Sequence, residues 1–485
     1  MQLSDLAQIV PSATVRGDPT TGVRDATADS RAASPGSLFF CVPGERSDGH
    51  DFVGEAVARG AGAVVVERPL DLDVAQLVVP SVREAIGPVS SAVFGHPSRA
   101  MSVVGVTGTN GKTTSAFMLE RAFKALGHTT GLIGTVEVHV AGDVIPVVHT
   151  TPEAPELQRL LATMRDRGVD AVAMEVSSHG LAYRRVSGTH FACALFTNLT
   201  RDHLDFHGTM ESYEAAKRLL FAGDLAERGA VNADDPAGAR ILEKPAIPLT
   251  SFGFSDAAEV RAVDVATTRA GSTFTCAAGG DRVHVTVRIA GGFNVVNALG
   301  ALATVHALGW PLAAAAEAIA DLDGVPGRME AIESGQPFTV LVDYAHTPDS
   351  LSNVLRAARE VSEGSLVVVF GCGGDRDRGK RPLMGKVAAE LADLAIVTSD
   401  NPRSEEPLAI IDEIVPGARS TGRPYEVEPD RRAAIRRALE RARPGDVVVI
   451  AGKGHEQGQR FADRVLAFDD RTVAREELAS LGAGR

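Results

Sequence analysis

Along most of the chain, short apolar runs alternate with helix-length stretches in which apolar and polar residues share the turns. From 101 the run M-S-V-V-G-V-T enters a glycine-rich turn and then a helical pattern over 113–126. A second helical pattern follows over 155–167, then the runs V-D-A-V-A-M-E-V and C-A-L-F-T-N-L. Continuous apolar strands alternating with helices predict a mostly parallel sheet covered on both faces. Around 260–290 the pattern changes to T-F-T-C and V-H-V-T-V-R-I, which predicts a short antiparallel excursion before a helix over 294–308. Beyond 328 the strands F-T-V-L-V-D, S-L-V-V-V-F-G, L-A-I-V-T-S-D and D-V-V-V-I-A-G recur, each expected to lead into a helix. That is the pattern of a doubly wound α/β sheet. The first hundred residues differ, with apolar runs at 37–42 and 61–66 cut by Pro-Gly and Asp-Gly turns. Helix-breaking segments at 94–98 and 324–328 serve as linkers, so the expected fold class is α/β in three domains, over 1–98, 99–330 and 331–485.

Composition narrows the possibilities. With 485 residues the chain is too long for one core. A net charge of −13 disfavours a nucleic-acid-coating or anionic-membrane-binding protein, though a local cationic cluster can still hold one anionic substrate. The cysteines Cys41, Cys193, Cys276 and Cys372 form no C-x-x-C pair, which predicts buried thiols in a reducing compartment. No stretch reaches the ~18–20 apolar residues of a membrane span, and the first residues lack a basic, then apolar, leader. A cytoplasmic protein without membrane insertion is expected.

The strongest chemical signal is T-G-T-N-G-K-T-T at 107–114, between a strand and a helix. Gly108, Thr109, Asn110, Gly111, Lys112, Thr113 and Thr114 would wrap backbone N–H groups around a phosphate at a helix N-terminus. Lys112 would neutralise the outer phosphates and Thr113 would offer its hydroxyl to Mg²⁺. The strict phosphate-loop pattern needs glycine at 106, where this chain has Val106, with Gly105 one place earlier. Glu175 ends an otherwise apolar strand, which is costly for a carboxylate unless it meets a metal or a basic partner.

This variant loop resembles that of the Mur ligases and of their relatives, the folylpolyglutamate synthases. Further motifs follow in the same order: Thr150-Thr151-Pro152, E-V-S-S-H-G at 175–180, T-N-L-T-R-D-H-L-D-F-H-G at 197–208, and Y-E-A-A-K-R-L-L-F at 213–221. F-N-V-V-N stands at 293–297, G-R-M-E at 327–330 and D-Y-A-H-T-P at 343–348. The resemblance implies an ATP-dependent amide ligase of peptidoglycan precursor synthesis. ATP and Mg²⁺ would serve it, with a uridine-diphosphate-linked muramyl peptide as one small-molecule substrate.

The resemblance also implies roles. Glu175, His203 and Thr113 would hold Mg²⁺, and Lys217 would be carbamylated to help hold a second ion. Asn294, Asn297, Arg328, Asp343 and His346 would line the ATP site. Ser30 of D-S-R, with Glu45, Arg46 and Ser47 of a variable second segment, would contact the nucleotide-sugar end. Thr150, Thr151, Ser177, Tyr183 and Arg185 would contact the peptide side, Tyr183 standing where the family often has glutamine. D-N-P-R at 400–403 resembles the signature of members that accept meso-diaminopimelate. Arg403 would grip that amino acid's distal carboxylate, within a pocket completed by Arg376, Asp400, Asn401, Pro402, Gly452 and Glu456. Rival readings are a lysine-adding ligase, disfavoured by Arg403, a folylpolyglutamate synthase, and a nucleotide-binding protein without catalysis.

Overall fold

The computed structural model describes residues 1–44, 47–146, 149–268 and 271–482. Its architecture is α/β, with three main sheets following one another along the chain. The first has five strands in the order Thr14–Arg16, Ala75–Val78, Ala63–Val66, Ser37–Phe40 and Asp25–Thr27, parallel except at the Thr14–Arg16 edge. Ser37–Phe40 and Ala63–Val66 are buried throughout, as their unbroken apolar runs require. Helix Val82–Val93 leads out of this sheet, and a 3₁₀ turn at Pro97–Ala100 enters the next.

Eleven strands form the central sheet. Ser102–Thr107 lies between Ala171–Glu175 and Cys193–Phe196, parallel to both. The chain first moves outward through helix Lys112–Ala125 to Thr130–Ile133, fills the gap with Ala171–Glu175, then continues on the opposite side. The strand order therefore reverses around Ser102–Thr107, and the carboxyl ends there frame a crevice, the usual ligand position in open α/β sheets. The expected antiparallel excursion is the meander Val260–Thr268, Gly271–Ala278 and Asp281–Val287 at one edge. Helices expected over 113–126, 155–167 and 294–308 are found at Lys112–Ala125, Ala154–Asp166 and Phe293–Ala307.

Six strands form the third sheet, in the order Glu330–Ala331, Thr339–Asp343, Val447–Ala451, Leu366–Phe370, Leu394–Val397 and Tyr425–Val427. All pairings but the first are parallel. Each of the four strands expected here has a helical segment after it, and between Val447–Ala451 and helix Asp470–Gly482 a hairpin of Gly458–Arg460 and Val465–Ala467 intervenes. Val465–Ala467 is exposed, so its sequence carries no buried/exposed alternation by which to read a strand.

The four cysteines are free and buried. Among the described residues no helix is long and apolar enough to cross a membrane. Apolar residues of the second and third units, such as Leu299, Met329, Leu351 and Val354, belong to one continuous cluster. That packing brings the carboxyl ends of both parallel sheets together.

Candidate active site

Strand Ser102–Thr107 ends in a loop shaped by two glycines. Gly108 has φ +152°, and a Cβ there would lie 1.9 Å from Thr197 Oγ1. Gly111, at φ +86°, caps helix Lys112–Ala125 and leaves room only for Asn297, whose Oδ1 would be 2.3 Å from an added Cβ. Neither position admits a side chain. Gly105 lies within the strand, where a Cβ would come within 2.9 Å of the Phe191 ring. It serves strand packing rather than the loop. The loop is pinned from the 197–200 segment: Asn110 N donates to Asn198 Oδ1 at 2.9 Å and Thr109 Oγ1 to Thr200 O at 3.1 Å. Lys112 Nζ folds over the loop, donating to Gly108 O at 3.0 Å and Thr109 O at 2.9 Å.

Glu175 is 1% exposed. Its Oε1 accepts from Thr135 N at 2.7 Å, and its Oε2 from Thr135 Oγ1 at 3.0 Å and Thr113 Oγ1 at 3.1 Å. Of the metal or basic partner expected for it, no basic side chain among the described residues hydrogen-bonds the carboxylate; one amide and two hydroxyls meet it instead. Thr113 Oγ1 also accepts from Arg328 Nη2 at 2.9 Å. Among the described residues no three His, Cys, Asp or Glu side chains converge as a ready-made metal cage. The adjoining Thr113 hydroxyl and Glu175 carboxylate nonetheless suit Mg²⁺, which typically takes one or two carboxylates and completes its shell with phosphate oxygens and water.

Beside them His203 begins helix Leu204–His207 at φ +54°, an uncommon conformation for a residue other than glycine. Burial pushes its imidazole down to about 2, against the pull of Asp202, so the ring stays neutral with a lone pair to offer. Asp202 Oδ2 lies 3.3 Å from His203 Nε2 and 3.4 Å from His346 Nε2, tying the 197–208 segment to the third sheet. His179 stacks on Phe206 at 4.2 Å, and burial lowers it to about 4. Lys217, 1% exposed, donates to Gly108 O at 2.7 Å and lies 4.5 Å from the centre of the Tyr213 ring. Burial, reinforced by Lys112, depresses its ammonium well below the usual lysine range.

These groups face one cavity of about 710 Å³. Of the residues singled out from sequence, its walls include 109–114, Thr150, Thr151, Glu175, Ser177, Arg185, His203, Lys217, Asn294, Asn297, Arg328, Asp343, His346 and Arg376. Thr151 Oγ1 donates to Glu175 O at 3.1 Å, and Arg185 Nη1 to Thr151 O at 3.2 Å, so these two residues expected on the peptide side are fastened to the strand that carries Glu175. Asn297 Nδ2 donates to Asn294 Oδ1 at 2.9 Å on one face of Phe293–Ala307. Asp343 accepts from Met329 N and Ala345 N, both at 2.7 Å, fixing the turn between the second and third units.

Other candidates lie outside those walls. Tyr183 sits behind them, with the Arg185 guanidinium 5.5 Å from its ring centre. Ser30 is buried in the first unit, its Oγ donating to Glu55 Oε2 at 2.6 Å. Ser47 closes a turn through its carbonyl, which accepts from Gly44 N at 2.9 Å. Glu45 and Arg46 lie outside the described residues.

The 400–403 segment follows Leu394–Val397 and packs against the loop after Val447–Ala451. Arg403 has φ +54° and its Nη1 donates to Gly374 O at 2.7 Å. Burial, with Arg376 beside it, pulls its guanidinium below the usual range. Two neighbouring guanidiniums make a receptive place for an anion. Asn401 Nδ2 donates to Glu456 Oε2 at 2.7 Å, while Pro402 is buried and Gly452 has φ +118°. A Cβ on Gly452 would come within 2.4 Å of Asp400 Oδ2.

Three family patterns cover most of the chain: the Mur ligase family catalytic domain over 24–101, the Mur ligase middle domain over 106–305, and the Mur ligase glutamate ligase domain over 327–454. A Geobacillus thermodenitrificans protein named UDP-N-acetylmuramoyl-L-alanyl-D-glutamate--2,6-diaminopimelate ligase is 45% identical, the alignment covering 98% of this chain and 99% of that one. The chain belongs to the Mur ligase family. A Streptomyces avermitilis protein of the same name is 46% identical over 98% of this chain and 96% of its own. A solved structure titled as a UDP-N-acetylmuramoyl-L-alanyl-D-glutamate--2,6-diaminopimelate ligase superposes with a TM-score of 0.69 at 32% identity, covering 99% of both chains.

Several groups of this Mur ligase site escaped the sequence reading. Thr135 gives Glu175 two of its three hydrogen bonds, and its only signal is a threonine just past the strand Thr130–Ile133. Asp349, on the first turn of helix Pro348–Val361, reaches across the cavity to accept from Asn110 Nδ2 at 2.9 Å. Lys453 lies between Gly452 and Glu456, in the polar cluster that follows Val447–Ala451.

Proposed function

We propose that this Mur ligase joins meso-diaminopimelate to UDP-N-acetylmuramoyl-L-alanyl-D-glutamate at the expense of ATP. What carries the reading is that the phosphate loop, the Glu175–Thr113 pair, Lys217 and the third-sheet residues His346 and Arg376 open into one cavity. In this assignment residues 1–98 hold the nucleotide-sugar, 99–330 hold ATP, and 331–485 present the amino acid. The substrates are small molecules of the cytoplasm, and neither nucleic acid nor membrane insertion has a part.

The D-glutamyl γ-carboxylate attacks the γ-phosphorus of ATP, forming an acyl phosphate and releasing ADP. Charge spreads over the transferring phosphoryl oxygens, and Lys112 with the loop N–H groups is placed to stabilise it. The diaminopimelate amine then attacks the acyl carbon, loses a proton, and phosphate departs as the amide forms. Arg185 and the 150–151 segment orient the acceptor peptide, while Arg376 and Arg403 hold the incoming amino acid by its carboxylate. Thr113, Glu175 and neutral His203 would hold Mg²⁺, which supplies positive charge to the phosphate oxygens when bound. Lys217, buried and poor at holding a proton, is suited to adding CO₂. Its neutral amine forms the C–N bond, one proton leaves, and the product is an anionic carbamate able to help hold a second cation.

The test is phosphate release by purified protein with ATP and the muramyl dipeptide against a panel of amino acids. Turnover with meso-diaminopimelate and little with lysine is expected. Equal use of both would overturn the amino-acid assignment while leaving the family membership intact.

A further inference from the structure

Lys453 has 0% exposure, unusual for a lysine, and the reaction proposed above gives it no task. Its Nζ donates to Asn401 Oδ1 at 3.1 Å, Glu456 Oε2 at 3.0 Å and Gly458 O at 2.6 Å. A lysine ammonium has three N–H donors, so these acceptors use them all and none remains for a substrate. Two of the three acceptors, Asn401 and Glu456, are side chains that the family resemblance assigns to the amino-acid pocket.

The network leaves Asn401 a single orientation. Its Oδ1 faces two donors, Lys453 Nζ and Arg460 N at 2.9 Å, while its Nδ2 faces the Glu456 carboxylate. A flipped amide would set NH₂ against both donors and oxygen against oxygen. Glu456 Oε2 is taken by Lys453 and Asn401, whereas Oε1 receives no hydrogen bond among the described residues. The same tether aligns the neighbouring backbone: Arg403 N donates to Arg460 O at 2.9 Å and Gln459 Nε2 to Asp400 O at 2.9 Å. Although burial acts against it, Lys453 with Arg431 holds Asp400 below the usual carboxylate range.

We propose that Lys453 is a positioning residue for amino-acid recognition: its buried ammonium clamps the 400–403 loop to the 453–460 loop and aims the open oxygen of Glu456 into the pocket. The class of ligand this favours is a diamino diacid, whose distal ammonium meets Glu456 while its distal carboxylate meets Arg403. This deepens the reading above and rests on it. Lys453 itself never touches the substrate.

The test uses the full-length protein with Lys453→Met, close in size but without charge or donors. KM for meso-diaminopimelate should rise roughly tenfold or more, with kcat and the KM values for ATP and the muramyl dipeptide within about twofold of wild type. In an Asn401→Ala background the same substitution should cost less, because part of its effect runs through Asn401. A residue serving only the fold would lower activity with every substrate alike and add its cost unchanged in that background. If Lys453→Met loses its cooperative melt, Lys453→Gln, which keeps one donor for Asn401, is read by the same criteria. Unchanged KM, additive costs, or failure of both variants to fold would overturn the inference. Failure of the wild type to use meso-diaminopimelate would instead defeat the underlying reading, which separates the two.

Discussion

Two loops in this protein follow buried parallel strands, and they are stabilised by opposite means. The 107–111 loop joins a strand directly to a helix, so its backbone N–H groups and the helix end are expected to do the binding; glycines at 108 and 111 shape it and the 197–200 segment pins it. The 400–403 loop has no helix immediately after it. It takes its shape from hydrogen bonds that its own side chains make to groups far away in sequence: the Lys453 and Glu456 side chains, Arg460 N and Gly374 O. A backbone-made site needs a local pattern and can be read from one segment. A side-chain-made site needs partners that only folding supplies. The first should therefore fail at single residues with a loss of chemistry, and the second with a loss of selectivity.

The largest effect expected is at Lys112. Lys112→Ala should lower kcat by about 10³-fold, since a charge poised for the transferring phosphoryl group is worth at least as much as an oxyanion-hole donor. Its melting temperature should stay near wild type, and near-normal phosphate release would remove the loop from the mechanism. Lys217 tests whether this backbone-made site also depends on a modified side chain. Lys217→Ala should lose about 10²-fold in kcat, with partial rescue by short carboxylates added in solution. A fully active Lys217→Arg, which cannot form a carbamate, would rule the modification out.

Arg403→Ala probes the other loop. Removing a charge-assisted contact in a partly buried pocket should cost roughly 2–4 kcal/mol, or about 30- to 1,000-fold in kcat/KM for meso-diaminopimelate. The KM values for ATP and the muramyl dipeptide should barely move, and lysine should remain a poor substrate, because deletion builds no site for its ammonium. A uniform rise in all three KM values would mean that the two loops are not separable.

The smallest effect concerns acid. Glu405 accepts from Asp375 N at 2.6 Å and is paired with buried Arg381 at 2.7 Å, and that pairing lowers its carboxyl to about 2 from an ordinary value of 4.5. A carboxylate depressed on folding contributes stability that is fully present above about pH 4.5 and lost as pH falls through about 2. Glu405→Gln should thus lower the melting temperature at neutral pH and flatten its dependence between pH 4.5 and 2. Because Glu405 anchors the segment carrying Arg376, the wild type's affinity for meso-diaminopimelate should also weaken in that window. Parallel melting curves for variant and wild type across it would show that the pair has no such role.

Much of this was legible in the residues. Period and run length were enough for the parallel strands and for helices such as Ala154–Asp166, because burial on both faces of a sheet forces continuous apolar runs. The hairpin of Gly458–Arg460 and Val465–Ala467 was missed because its exposed strand has no face to bury. At Glu175 the cost of a buried carboxylate was legible, but the Thr135 amide and hydroxyl that meet it were not.

The sequence by itself determined the strand–loop–helix proposed to hold phosphate, since glycine placement and helix start are properties of adjacent residues. It also determined the α/β class, which follows from hydrophobic period. Tertiary structure alone decided that Asp202 would sit between His203 and His346, that Arg328 would reach Thr113, and that Lys453 would be buried against Asn401. Apart from the neighbours Asp202 and His203, these contacts join residues far apart in the chain, at distances set by how sheets and helices pack. No local pattern encodes that geometry, because a lysine in a glycine-rich loop reads as solvated until the fold removes its water.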